Sequence, residues 1–181
     1  MRIGGVEVTS AARTIVDLAR AVPFEQAVVA ADSALVRGAV TPAELDEALE
    51  RAGHRHGVAA AGRVVRFADG RAESPGESRS RVVIHHAGLP APDLQVEVRT
   101  ADGRVLGRAD FGWDGVIGEF DGRVKYGRLL RPGQHPGDVV YAEKRREESF
   151  RAVGKHVVRW GWTDLDDFTE TRTRLAAALR A

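Results

Sequence analysis

The chain has 181 residues, 43% of them hydrophobic, and a formal net charge of +1, enough apolar content for one ordinary core or two small ones. It contains no cysteine, which excludes a disulfide framework and a thiolate zinc site. A charge this close to balance neither favours nor excludes a nucleic-acid partner, because local clustering of arginine decides that. No long apolar run interrupts the chain and its start, MRIGGVEVTS, lacks a signal-peptide core; we therefore expect a cytoplasmic protein without membrane association.

Residues 9–68 read as helices. Thr9-Ser10 caps a segment in which Ala12, Ile15, Val16, Leu18 and Ala19 recur at helical spacing, and Pro23 ends it. A second helix is expected from Phe24 to Val36, stopping before Gly38. The third opens on Thr41-Pro42-Ala43-Glu44, a capping box with proline at the first helical position. The fourth, roughly Gly57–Phe67, is rich in Ala and Val. Short connections favour antiparallel packing, so residues 1–70 are expected to form a small helical bundle. His54 and His56 lack a third nearby ligand and read as a solvated turn.

From Arg71 the pattern changes, and residues 71–181 read as a second, α/β region. Ser74-Pro75-Gly76-Glu77 opens a helix, and Glu77 can satisfy its first amide donors as a capping residue. Three strands follow, with alternation at Leu94, Val96 and Val98 and tight-turn dipeptides at Asp102-Gly103 and Asp114-Gly115. Val139–Val153 reads as an amphipathic helix, Lys155–Trp160 as a buried strand, and Thr163 as the cap of one last helix running to Leu179. A parallel crossover is expected between the third and fourth strands.

The Asp114-Gly115 turn, read as type I′, determines a register in which Phe111 faces Gly118 and Asp110 faces Glu119. The same reasoning sets Gln95 opposite Asp110 and Glu97 opposite Arg108, leaving one face charged and the other apolar. Two carboxylates in direct opposition destabilise a sheet when both are ionised. A shared proton, a nearby base or a divalent cation would offset that repulsion. Asp121 either joins such a site or pairs with Arg108 at its rim.

The order helix, three strands, helix, strand resembles the PD-(D/E)xK, or restriction-endonuclease-like, superfamily. More closely, the residues Glu73 and Glu77, Asp110-Phe111, Glu119-Phe120-Asp121-Gly122, Glu143-Lys144-Arg145-Arg146-Glu147 and Val157-Val158-Arg159 resemble actinobacterial domains related to very-short-patch-repair (Vsr-like) endonucleases. The helical leader, including VTSAARTIVDLA, is similar to the segment before this domain in AbiEi-antitoxin-like proteins, which implies a winged-helix module or partner outside this chain. The resemblance implies an αβββαβ nuclease core that hydrolyses DNA with Mg²⁺ or Mn²⁺, in repair, phage defence or a toxin–antitoxin setting. Asp110 and Glu119 would be the central metal ligands, joined by Glu77 and Asp121. The family's lysine normally stands two residues after the third-strand acid, where this chain has Asp121. Lys125 or Lys144 would then supply the catalytic ammonium, and Arg108, Arg145 and Arg146 would contact nucleic acid. The same fold without catalysis, retained as a nucleic-acid-binding or antitoxin-type module, is the alternative.

Overall fold

The computed structural model describes residues 2–122 and 136–180. The chain divides into two compact units, Met1–Val82 and Val83–Ala181. No helix among the described residues is long and apolar enough to cross a membrane.

The first unit opens with a small antiparallel hairpin, β1 (Arg2–Ile3) and β2 (Val6–Glu7), to which the sequence reading assigned no structure. Its turn is Gly4-Gly5, both with positive φ (56° and 83°), the backbone of a type I′ turn that glycine adopts without a Cβ clash. Four helices follow: α1 (Ala11–Ala19), α2 (Phe24–Val36), α3 (Pro42–Ala52) and α4 (Val58–Phe67). Ser10 caps α1 by accepting from the Arg13 amide at 3.2 Å. Thr41 and Glu44 form the expected capping box, the Glu44 amide donating to Thr41 Oγ1 and the Thr41 amide to Glu44 Oε2. Val16, Val28, Leu45 and Val64, one from each helix, are almost fully buried in a shared core.

One charged pair lies inside that unit. Asp32 of α2 is 0% exposed and accepts from the Arg81 guanidinium at 2.7 Å and the Asp69 amide at 2.8 Å. It thereby ties α2 to the segment that follows α4 and to α5 (Pro75–His86).

The second unit is built on a four-stranded sheet of order β3-β4-β5-β6: β3 (Asp93–Arg99), β4 (Val105–Gly112), β5 (Val116–Asp121) and β6 (His156–Gly161). The first three strands pair antiparallel, and β6 lies parallel to β5. A parallel neighbour requires a crossover, and α6 (Pro136–Ala152) lies in it. The register agrees with the turn arithmetic at Glu97↔Arg108 and Phe111↔Gly118.

Three local expectations are corrected. The β4–β5 turn is not type I′: among the described residues Gln95 is the one non-glycine with positive φ, so only Gly115 of the turn (φ 71°) is left-handed. That is the pattern of a type II turn, which needs its glycine at the third position alone. The division into one apolar and one charged face also fails. Ala109 clusters with Ile117 and with Phe150 of α6, whereas Phe111, two residues on, stacks on Trp160 at 5.3 Å. Between them the pairs Leu94↔Phe111 and Val96↔Ala109 bracket Gln95, whose φ of 56° breaks the regular alternation. Apolar side chains therefore leave the sheet on both faces.

Finally, the last helix is two: α7 (Trp162–Asp166) and α8 (Thr169–Ala178). Asp164 accepts from the Gly161 amide at 2.7 Å and Asp167 from the Thr169 amide at 3.1 Å. Asp164 lies in the first turn of α7 and bonds back to its N-cap, whereas Asp167 ends α7 and accepts from the first amide of α8.

Candidate functional site

The β4–β5 ladder pairs Gly112↔Ile117 and Phe111↔Gly118, and one further step of that register sets Asp110 opposite Glu119. There a side chain replaces the ladder. The Phe120 amide donates to Asp110 Oδ2 at 2.9 Å, so this carboxylate takes a backbone hydrogen that a β4 carbonyl would otherwise receive. The position of Asp110 is thus held by the strand it faces.

Glu119 lies on β5, one of the two inner strands, and the parallel register places it beside Arg159 of β6. Its side chain is 8% exposed. Arg159 Nη2 donates to Glu119 Oε2 at 2.6 Å, and Arg146 Nη2, from α6, donates to the same oxygen at 3.0 Å. Arg146 Nη2 is also 2.9 Å from Oε1, yet Oε1 is buried without an aligned hydrogen bond. Burial pushes the Glu119 pKa above the ordinary carboxylate value; Arg146 and Arg159 pull it down by less, and Asp110 raises it further.

The two arginines are held differently. Arg159 lies in the sheet, with Nε 3.4 Å from Glu147 of α6, and Glu147 in turn pairs with Arg151. Arg146 reaches in from the helix, 38% exposed, over the Phe150 ring at 5.8 Å and with Nη1 donating to the Arg108 carbonyl at 3.2 Å. The repulsion expected between Asp110 and Glu119 is therefore offset by two guanidinium groups on one carboxylate and a peptide amide on the other.

The other expected site residues are placed as follows. Glu77 belongs to the first unit, nearly buried, and is engaged as a helix cap: Oε1 accepts from the Ser74 hydroxyl at 2.7 Å and Oε2 from the Glu73 amide at 2.9 Å. Asp121 ends β5 in an exposed position, Arg108 is exposed on β4, and Lys144 and Arg145 are exposed on α6. Lys125 lies outside the described residues.

Among the described residues, no group of three or more Asp, Glu or His side chains is placed to hold a metal ion. Asp110 and Glu119 interact electrostatically and together offer two carboxylates of hard oxygens, and Glu119 Oε1 is a buried acceptor short of a hydrogen bond. That donor set fits a Mg²⁺-type ion, which keeps water and substrate phosphate as its remaining ligands, and does not fit an all-protein cage. The sequence reading counted Glu147 and Arg159 among the residues that carry the resemblance but assigned neither a catalytic or metal-binding role. The available signal was a lone cation in the otherwise apolar strand HVVRWG; only its pairing with β5 brings it to Glu119.

No family profile matches the sequence, and no solved structure matches it. Two proteins from strains of Mycobacterium tuberculosis, the uncharacterized proteins MT2308 and Rv2248, are each 37% identical to it over 112 residues, 62% of this chain. The chain spans 41% of the length of these relatives.

Proposed function

We propose that the second unit is a restriction-endonuclease-like domain of a cytoplasmic protein that hydrolyses DNA phosphodiester bonds with Mg²⁺ or Mn²⁺ held by Asp110 and Glu119. One observation carries this reading: two acidic residues brought together across neighbouring strands, one of them buried with Oε1 lacking a hydrogen bond. The order of the end of α5, which begins in the first unit, three antiparallel strands, α6 and a parallel fourth strand also supports it.

A bound divalent ion would polarise the phosphate and acidify an attacking water. The chain's own residues would supply the rest. Asp110 is oriented by the Phe120 amide and Glu119 by Arg159. Arg145 and Lys144, exposed on the helix that also carries Arg146, offer cations to the DNA backbone, and Lys125 is a second source of an ammonium group.

The test is nicking of supercoiled plasmid in Mn²⁺ by the full chain. The wild type should nick, and a double variant, Asp110→Ala with Glu119→Ala, should lose on the order of a hundredfold or more in rate. Undiminished nicking by that variant would remove both residues from the site.

A second reading, a DNA-binding module that does not cut, has its own observation. Two guanidinium groups already neutralise Glu119, and Asp121 stands where a catalytic lysine is expected. Salt-sensitive DNA binding by a wild type that never nicks would select it.

A further inference from the structure

Glu119 has two cationic partners, and they are not equivalent. The aligned, charge-assisted bond from Arg159 to Oε2 is short, 2.6 Å, and its donor stands on the strand paired beside Glu119. That guanidinium is partly shielded, 27% exposed, and lies between Glu119 and Glu147. Arg146 stands on a helix and is the more exposed of the two. Its single nitrogen, Nη2, lies near both carboxylate oxygens but makes an aligned bond to Oε2 only, which leaves Oε1 buried without one. A buried acceptor touching a cation in poor alignment has forgone most of a charge-assisted hydrogen bond.

We propose that Arg159 is a positioning residue that keeps Glu119 in place, and that Arg146 is a displaceable cation holding the place of a divalent ion until that ion binds. This rests on the divalent-ion reading above. The exchange is chemically balanced: a hard dication prefers carboxylate oxygen, can reach the Oε1 that Arg146 serves poorly, and replaces one positive charge with two beside two carboxylates. The released guanidinium, partly exposed beside the exposed Lys144 and Arg145, becomes available to a phosphate oxygen of the DNA, which it binds in a forked geometry. Arg159 has less freedom, since its strand is paired with the strand of Glu119 and Glu147 lies 3.4 Å from its Nε as a second counter-charge, without an aligned hydrogen bond.

The experiment is calorimetric titration of the full chain with Mn²⁺ and no DNA, on wild type, Arg146→Gln, Arg159→Gln and Arg159→Lys, with thermal unfolding of each metal-free protein to show that it is folded. Removing a competing cation should tighten Mn²⁺ binding by Arg146→Gln about tenfold or more. Losing a group that orients a ligand should weaken binding by Arg159→Gln about 10- to 100-fold, with partial rescue by Arg159→Lys. If wild type binds Mn²⁺ and Arg146→Gln binds it equally or more weakly, the displacement is wrong while the metal site stands. If folded Arg159→Gln binds as wild type does, the positioning role is wrong. If neither wild type nor Arg146→Gln binds Mn²⁺, the divalent-ion reading fails and this inference with it.

Discussion

Burial raises the proton affinity of Glu119, and the neighbouring Asp110 adds to the effect, while Arg146 and Arg159 reverse only part of it. The consequence for stability has a definite sign. Between the unfolded value near 4.5 and the raised folded value, the folded chain binds more protons than the unfolded chain, so stability falls as pH rises. A single group contributes a slope of at most about 1.4 kcal/mol per pH unit. Glu119→Gln removes this titration, so the wild type's stability advantage over the variant should shrink as pH rises through that window. Urea midpoints measured from about pH 4 to about pH 8 check this; parallel curves would contradict it. The approach of Asp110 to the strand of Glu119 was legible because a two-residue turn sets which residues face each other. Its bond to the Phe120 amide was not, because alternation predicts a side chain's face and not its reach across to the next strand.

Strand β5 shows how tightly the elements around the site are packed. A Cβ added at Gly118 would lie 2.5 Å from Trp160 Cη2 and 3.1 Å from Phe111 Cβ, against two rings already stacked on each other. Gly118→Ala should therefore destabilise the second unit by about 1–3 kcal/mol through overpacking, visible as a lowered urea midpoint with altered near-ultraviolet dichroism. In the helical unit the corresponding point is Asp32. Asp32→Asn leaves the Arg81 guanidinium, 11% exposed, without its countercharge, and should cost about 3–5 kcal/mol, read as a lower thermal midpoint near neutral pH. The helices themselves were legible: α2 has the expected bounds, and Thr41 and Glu44 cap α3 as their spacing indicates. The division between α7 and α8 was not. A cluster of aspartates satisfies both a helix's dipole and its cap, and only the backbone at Asp167, extended at φ −134° and ψ 95°, shows that the helix stops and restarts.

At the scale of the molecule, a net charge of +1 provides no general attraction to a polyanion, so any DNA binding has to come from local cations. If Arg145 makes one phosphate contact, Arg145→Gln should weaken binding to duplexes of any sequence and reduce the slope of log affinity against log salt by about 0.9. Fluorescence anisotropy across a salt series measures both. An unchanged slope would place the helix α6 surface outside the interface. What the sequence determined by itself was local: the helices of the first unit, their caps and the register across a short turn all follow from residues a few positions apart, whose backbone preferences and hydrogen bonds close on each other. The tertiary structure alone decided what surrounds Glu119. Arg146 and Arg159 stand 27 and 40 positions away along the chain, and no local preference records that a crossover returns β6 parallel to β5 with its one arginine beside that carboxylate.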